Sequence, residues 1–334
     1  MSGIKSLVTI CASLGAALAL GAATLLLPEN TYQRWQLVEG TVFESLRWAY
    51  ERIHFDSRPI DIAIVGPSKT LLGLSAARIE EQLSLHGKPA NVVNFSVASS
   101  GRNVVWAELE ELFKSKSPKL IVVSVDSEPF AYGHPAFKYV APASAIIHTP
   151  APLLHDYFYD LANLPSRKLR LFGASLAPSL FGLRDRFDPE IYARTTSDYT
   201  SGSRVLEGKL VDMEREVAPA ALLAQAKEPA SSKSKLVMRA LAWCCNDGDE
   251  YVYMREIARL AEAHGAKLLF VFLPEFNNRA EIRERDFLER YGKMLDMSDL
   301  ANQDKLYQSW GHLNHAGATI ASDRLANEIL RSNL

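Results

Sequence analysis

Four short apolar runs constrain the fold of this chain more than any other feature. They are Ile60 to Val65, Ala90 to Phe95, Leu120 to Val125 and Lys267 to Leu273, and the first three recur at intervals of about 30 residues. Helical patterns, Ser75 to His86 and Asn103 to Lys116, lie between the first three, and a third, Tyr251 to His264, precedes the fourth. Near-continuously apolar strands that alternate with helices are buried on both faces, which requires a parallel sheet with helices on each side. The expected fold is α/β, a three-layer α/β/α sandwich. Ligands bind such sheets outside the carboxyl ends of the strands, and Ser68, Ser99 and Asp126 fall there.

Between the third and fourth runs lie roughly 120 residues, Pro129 to Glu250, with no strong strand pattern. Leu153 to Leu161 and Glu207 to Leu223 read as helical, and Ala226 to Lys235 as a surface loop. An insertion of this size above the strand ends would form a cap over the site. With 48% hydrophobic residues the rest of the chain can bury one large core.

The N-terminus reads as an address. Ser6 to Leu27 is 22 residues without a charge, about 33 Å as a helix and enough to cross a bilayer core. Lys5 before it favours a cytoplasmic N-terminus and an exported remainder. Ala17-Leu18-Ala19 offers a signal cleavage site, but the apolar run outlasts a signal core of about 7–15 residues, which favours an uncleaved anchor over residues 1–28. Residues 29–57 carry Trp35, Val38, Val42, Leu46, Ala49 and Ile53 at helical spacing, an amphipathic helix. Its Tyr32 and Trp35 either sit at the bilayer interface or pack on the following domain, residues 58–334, with the insertion at about 129–250. The expected location is the inner (cytoplasmic) membrane, single-pass, with the C-terminal domain outside the cytoplasm.

A net charge of −2, with Lys and Arg spread evenly, argues against nucleic acid as a partner. Of the three cysteines, Cys11 lies in the apolar segment, and Cys244-Cys245 are adjacent, read as thiols or as a strained vicinal disulfide. Asp126, Glu128 and His134 lack a second histidine at a useful spacing and read as a polar cleft rim, so no metal is expected. No cofactor is expected either, because Gly66-Pro67-Ser68-Lys69-Thr70 lacks the order of a phosphate-binding loop. Lys69 reads as a solvated first-turn residue. Trp243, Trp310 and Tyr132 would either stack on sugar rings or pack in the core.

Three local patterns carry the chemistry. Gly66-Pro67-Ser68 follows the first strand, Asn94-Phe95-Ser96-Val97-Ala98-Ser99-Ser100-Gly101 follows the second, and His312-Leu313-Asn314-His315-Ala316-Gly317 precedes the last helix. In order and spacing they resemble the SGNH (GDSL-type) hydrolase superfamily, from about Ile60 to the end apart from the insertion. The resemblance implies a flavodoxin-like sandwich with Ser68 as nucleophile and His312 as its general base. Read from the residues alone, Ser68 also suits a helix N-cap and His312 a structural surface position. His315 is a weaker base candidate, and Asn314 is placed to cap the last helix. The resemblance also implies an oxyanion hole from the N–H of Ser68, a donor at Ser99 or Gly101, and an Asn after the third strand.

Two positions depart from that pattern. Ser309 stands three residues before His312, where the superfamily has its acid, and Asp126 stands where the Asn is expected. Asp304 or Asp299 would have to replace the acid, unless a hydroxyl orients the imidazole. The anchor and insertion further resemble the extracytoplasmic branch that modifies cell-surface polymers, such as exopolysaccharide O-acetylation proteins and the teichoic-acid D-alanylation protein D. Some of these work beside a membrane-bound O-acyltransferase. Two functions follow as expectations: a serine esterase or O-acyltransferase acting on acyl esters of a cell-envelope polysaccharide or a small acyl ester, or a non-catalytic protein binding a glycan or such an acyltransferase.

Overall fold

Along the first strand the side chains alternate between two cores. Ala63 and Val65 join one apolar cluster and Ile62 and Ile64 the other, so both faces of the sheet are covered. The computed structural model describes residues 12–13, 15–16, 19–127, 133–149, 156–194, 198–206, 209–226, 249–278 and 281–332. Its strands are β1 (Ile62–Val65), β2 (Val92–Asn94), β3 (Leu120–Val125), β4 (Ser203–Leu206), β5 (Lys209–Asp212), β6 (Lys267–Phe272), β7 (Gly292–Asp296), β8 (Tyr307–Ser309) and β9 (His312–Leu313). Five of them form a parallel sheet in the order β2-β1-β3-β6-β7, which is 2-1-3-4-5 counted within the sheet. That order is the flavodoxin-like one.

The principal helices are α1 (Thr31–Trp35), α2 (Ser45–His54), α3 (Ser68–Gly73), α4 (Ala76–Leu85), α5 (Arg102–Ser115), α6 (Tyr157–Leu176), α7 (Asp249–Ala263) and α8 (His315–Ser332). One face of the sheet is covered by α2, α5 and α7, through Leu46, Ala49, Leu109, Leu112, Met254 and Ile257. The other is covered by α4 and α8, through Ile79, Leu83, Ala321, Leu325 and Ile329. The protein is thus a three-layer α/β/α sandwich, as the apolar runs require.

Several expectations are corrected. The segment after the apolar N-terminus is two helices rather than one, because Gly40 takes a left-handed φ of 72° and turns the chain between α1 and α2. Of the two readings of its stripe, packing on the following domain is the one seen: Tyr32, Trp35, Val38, Leu46 and Ile53 are buried in the same cluster as the strands. Buried charges lock the segment in place. Arg47 pairs with Glu51 at 2.5 Å, and Glu51 also accepts from the Tyr32 hydroxyl at 2.7 Å. Removing one partner of such a buried pair costs about 3–5 kcal/mol.

The helix expected over Glu207 to Leu223 is present only at its end. Lys209–Asp212 pairs antiparallel with Ser203–Leu206, and a short helix begins only at Pro219. The fifth strand, β7, was not expected from sequence, because Gly-Lys-Met-Leu-Asp is short and carries two charges; it is an edge strand, where charge is tolerated.

Among the described residues no helix is long and apolar enough to cross a membrane. Much of the stretch read as an anchor lies outside the described residues, as do Cys11, Glu128, Tyr132, Trp243, Cys244, Cys245 and most of the Ala226 to Lys235 loop.

Candidate active site

The carboxyl ends of β1, β2, β3 and β6 lie on one edge of the sheet, and each contributes residues there. After β1, Gly66 packs so tightly that a Cβ would come within 2.5 Å of the Ser124 Cβ and 2.7 Å of the Thr70 Oγ1. Only glycine allows the chain to turn there, and Pro67 then leads directly into α3, with Ser68 at its first position. The first N–H groups of a helix have no intrahelical acceptor and point outward. The Ser68 hydroxyl does not cap the helix: it lies 2.9 Å from Nε2 of His312, across 244 residues of sequence.

Asn94, at the end of β2, secures this helix from the side. Its Nδ2 donates to the carbonyls of Thr70 (3.1 Å) and Leu74 (2.8 Å), and its Oδ1 accepts from the Ser96 N–H. Sequence reasoning saw Asn94 only as a turn residue.

His312 is carried by the hairpin β8/β9, where it pairs with Ser309 in the strand register. The hairpin is tied to the end of β6 by the Tyr307 hydroxyl, which donates to the Pro274 carbonyl at 3.1 Å, and by the Phe276 N–H, which donates to the Trp310 carbonyl at 2.8 Å. Nδ1 of His312 lies 2.9 Å from the Ser309 hydroxyl. Both imidazole nitrogens are therefore engaged, in the chain Ser309–His312–Ser68. Asp304 opens a short 3₁₀ turn before β8 and makes no hydrogen bond or ion pair with His312. Asp299 is held by the Arg324 guanidinium through two bonds, 2.6 and 2.8 Å. Among the described residues no carboxylate stands in for the acid.

Asp126, after β3, pairs with Lys69, which also lies 3.6 Å from the Glu275 carboxylate beyond β6. The sequence reading of Lys69 as a solvated residue is corrected: its side chain is largely buried among these two acids. The Lys69 ammonium offsets the Asp126 charge at this edge of the sheet. Glu275 went unnoticed, although Pro274-Glu275 directly after a strand end marks the same edge. Burial, with a smaller push from the Lys69 ammonium, depresses His312 to about 4. The imidazole is thus neutral near pH 7, free to take a proton but a weak base.

Ser99, Ser100, Gly101 and Asp126 line a small solvent-open cleft with Gly66 and Pro67, next to Ser68 in the chain. Ser99 has a left-handed φ of 72°. Neither the Ser99 nor the Gly101 N–H donates to another described residue, so either can face the cleft. His134 lines it too, but both its ring nitrogens serve the backbone: Nε2 lies 2.7 Å from the Ala98 carbonyl and Nδ1 accepts from the Ala136 N–H at 3.0 Å. Burial depresses this histidine to about 4. It is a structural residue, as is His315, whose Nδ1 lies 3.0 Å from the Thr200 carbonyl. Asn314 caps α8, accepting from the Gly317 N–H at 3.0 Å. Trp310 packs against the apolar core.

The insertion reaches the site's flank. Gln225 accepts from the Trp310 N–H at 2.8 Å, and the Met213 carbonyl accepts from the His315 N–H at 2.7 Å. Comparison with family models finds no match, and comparison with curated proteins finds none either.

Proposed function

We propose that this chain is a membrane-tethered, extracytoplasmic serine acyl-ester enzyme of the SGNH kind, an esterase or O-acyltransferase for acyl groups on a cell-envelope polysaccharide. The observation that carries the reading is the 2.9 Å contact between the Ser68 hydroxyl and His312 Nε2, which lies within the reach proton transfer needs.

In the first step the Ser68 Oγ attacks the ester carbonyl carbon as its proton passes to His312 Nε2. The tetrahedral oxyanion sits between the N–H of Ser68 and a donor from the Ser99–Gly101 turn, each such donor being worth about 3–4 kcal/mol of barrier. Collapse breaks the carbonyl–alkoxide bond, the imidazolium protonates the departing alcohol, and an acyl ester remains on Ser68. A second alcohol, or water, reverses these steps and takes the acyl group. The acyl donor is either a small acyl ester or a group handed over by a membrane-bound O-acyltransferase.

The second reading, a non-catalytic protein that binds a glycan or such an acyltransferase in the same cleft, is favoured by one feature. Ser309 replaces the acid that would stabilise an imidazolium, in a site that already disfavours protonation of His312. Acid-quenched incubation of the purified chain with an activated acetyl ester separates the two readings. An acetyl group on the peptide containing Ser68, absent from Ser68→Ala, supports the enzyme. A folded protein that never acylates at Ser68 supports the binder.

A further inference from the structure

Helix α6 is built inside out. Its buried face holds Asp160, Arg167 and Lys168 beside Leu164, Leu171 and Ala174, whereas its outward face carries Phe158, Pro165, Leu169 and Leu176. These four are spaced by 7, 4 and 7 residues, which returns each to the same side of a helix within about 20°. Phe158 is 73% exposed, Leu169 54% and Leu176 74%, and the 3₁₀ turn that follows adds Leu180 at 82%. Gly173 permits that turn to fold back, since a Cβ there would lie 2.5 Å from the Phe181 ring. A surface helix of a soluble domain shows the opposite polarity, and an apolar stripe about 30 Å long marks a contact surface.

What covers it is indicated by where the N-terminal segment arrives. Glu29, two residues past the end of the uncharged stretch, is held by Arg34 at 2.6 Å and Lys168 at 3.3 Å, with Arg167 3.9 Å away. Arg167 in turn donates to the carbonyls of Lys138 and Ala141 at 2.7 and 2.8 Å. This buried clamp fixes the exit of the apolar segment onto α6, and a Cβ on Gly21 would lie 3.7 Å from the Pro165 side chain, in the middle of the stripe. Two uncharged apolar surfaces, one leading to the other, call for a single environment.

We infer that the outward face of α6 and the turn Pro178–Phe181 form a membrane-docking surface that lies in the headgroup–acyl boundary of a phospholipid bilayer beside the N-terminal segment. Tyr157 and Tyr159 supply amphipathic rings at one end of the helix, and Arg170, exposed beside Leu169, can extend to the headgroups. The surface holds the sandwich against the membrane in one orientation instead of leaving it on a free tether.

This inference rests on reading the N-terminal segment as an anchor, and the test separates the two. Full-length protein is reconstituted into phosphatidylethanolamine–phosphatidylglycerol vesicles containing a radiolabelled phospholipid, with a photoactivatable benzophenone side chain at Leu169, Leu176 or Leu85 in turn. Leu85 is as exposed, at 72%, but sits on α4 over the other face of the sheet. The expected result is lipid adducts at Leu169 and Leu176 at least fivefold above Leu85. Retention by the vesicles without such adducts, equal labelling at all three positions, or adducts to a second copy of the chain would overturn the docking surface and leave the anchor standing. Failure of the vesicles to retain the chain would overturn both.

Discussion

Ser309 Oγ lies 2.9 Å from Nδ1 of His312, across a hairpin that sets the two residues opposite each other. A hydroxyl both donates and accepts. When it accepts from Nδ1–H, Nε2 is bare and can take the Ser68 proton; when it donates, Nε2 carries hydrogen and the pair is idle. A carboxylate only accepts, and it also stabilises the imidazolium. Ser309→Asp is therefore expected to raise hydrolysis of an activated acetyl ester at least about tenfold, or about 1.4 kcal/mol of barrier. Adding Ser68→Ala should erase both the gain and the background. A normally folded Ser309→Asp variant with an unchanged rate would count against the acyl chemistry.

The acid limb of the pH profile should lie low. Burial first, and Lys69 second, hold His312 near 4. The neutral, proton-accepting form therefore persists below the usual histidine range, and kcat/KM should fall through about pH 4 rather than near 6.5. Lys69→Met removes the second cause, so the limb should move to higher pH. It also strips Asp126 of its cation, and kcat should drop roughly tenfold or more, with partial recovery in Lys69→Met/Asp126→Asn. A limb that stays in place in Lys69→Met would refute this account of the site's electrostatics.

Gly101 is expected to tolerate no side chain. Its φ is 152°, and a Cβ would stand 2.4 Å from the His134 backbone nitrogen. Because His134 is fixed by both ring nitrogens, the neighbour cannot yield. Gly101→Ala should cost at least about 2 kcal/mol, read as a lower Tm and denaturation midpoint. Unchanged stability would show that the loop after β2 has room to move.

Asp160 should make stability depend on pH in a direction opposite to an ion-paired acid. Burial, and to a lesser degree Asp156, raise its carboxyl to about 7, above its unfolded value. Stability is then fullest below about pH 4 and declines as pH rises towards 7, because the unfolded chain ionises where the folded one resists. Asp160→Asn removes this loss, so its Tm advantage over the wild type should widen between pH 4 and 7. A constant difference across that range would contradict the burial-driven shift.

Much of the architecture was legible in the sequence because β1, β2, β3 and β6 are buried on both faces almost throughout, and such strands read as near-continuous apolar runs. Leu120–Val125 needs no revision at either end. Strand β7 escaped because an edge strand can keep its charges. The division of Tyr32 to Phe55 into two helices was hidden because a 3.6-residue stripe continues through the Gly40 turn. Ser68 was readable from the motif that ends β1 and His312 from the motif before the last helix, whereas the hairpin β8/β9 that carries His312 was not, being only three and two residues long. Lys69 and Glu275 were not: the pairing of Lys69 with Asp126 joins residues 57 apart, and only the parallel register brings those strand ends together.

The two hydrogen bonds from Asn94 to α3 have a consequence for the order in which the molecule fails. Strand β2 is an outer strand of the sheet, bonded to a neighbour on one side only, and outer strands open before interior ones. Each opening of β2 withdraws the Asn94 amide from the Thr70 and Leu74 carbonyls and releases the helix that carries Ser68 while the remaining strands stay zipped. Heat inactivation is therefore expected to run ahead of melting, with acyl transfer lost several degrees below the far-UV transition. Coincident curves would mean that α3 is held by its own packing and that Asn94 is dispensable.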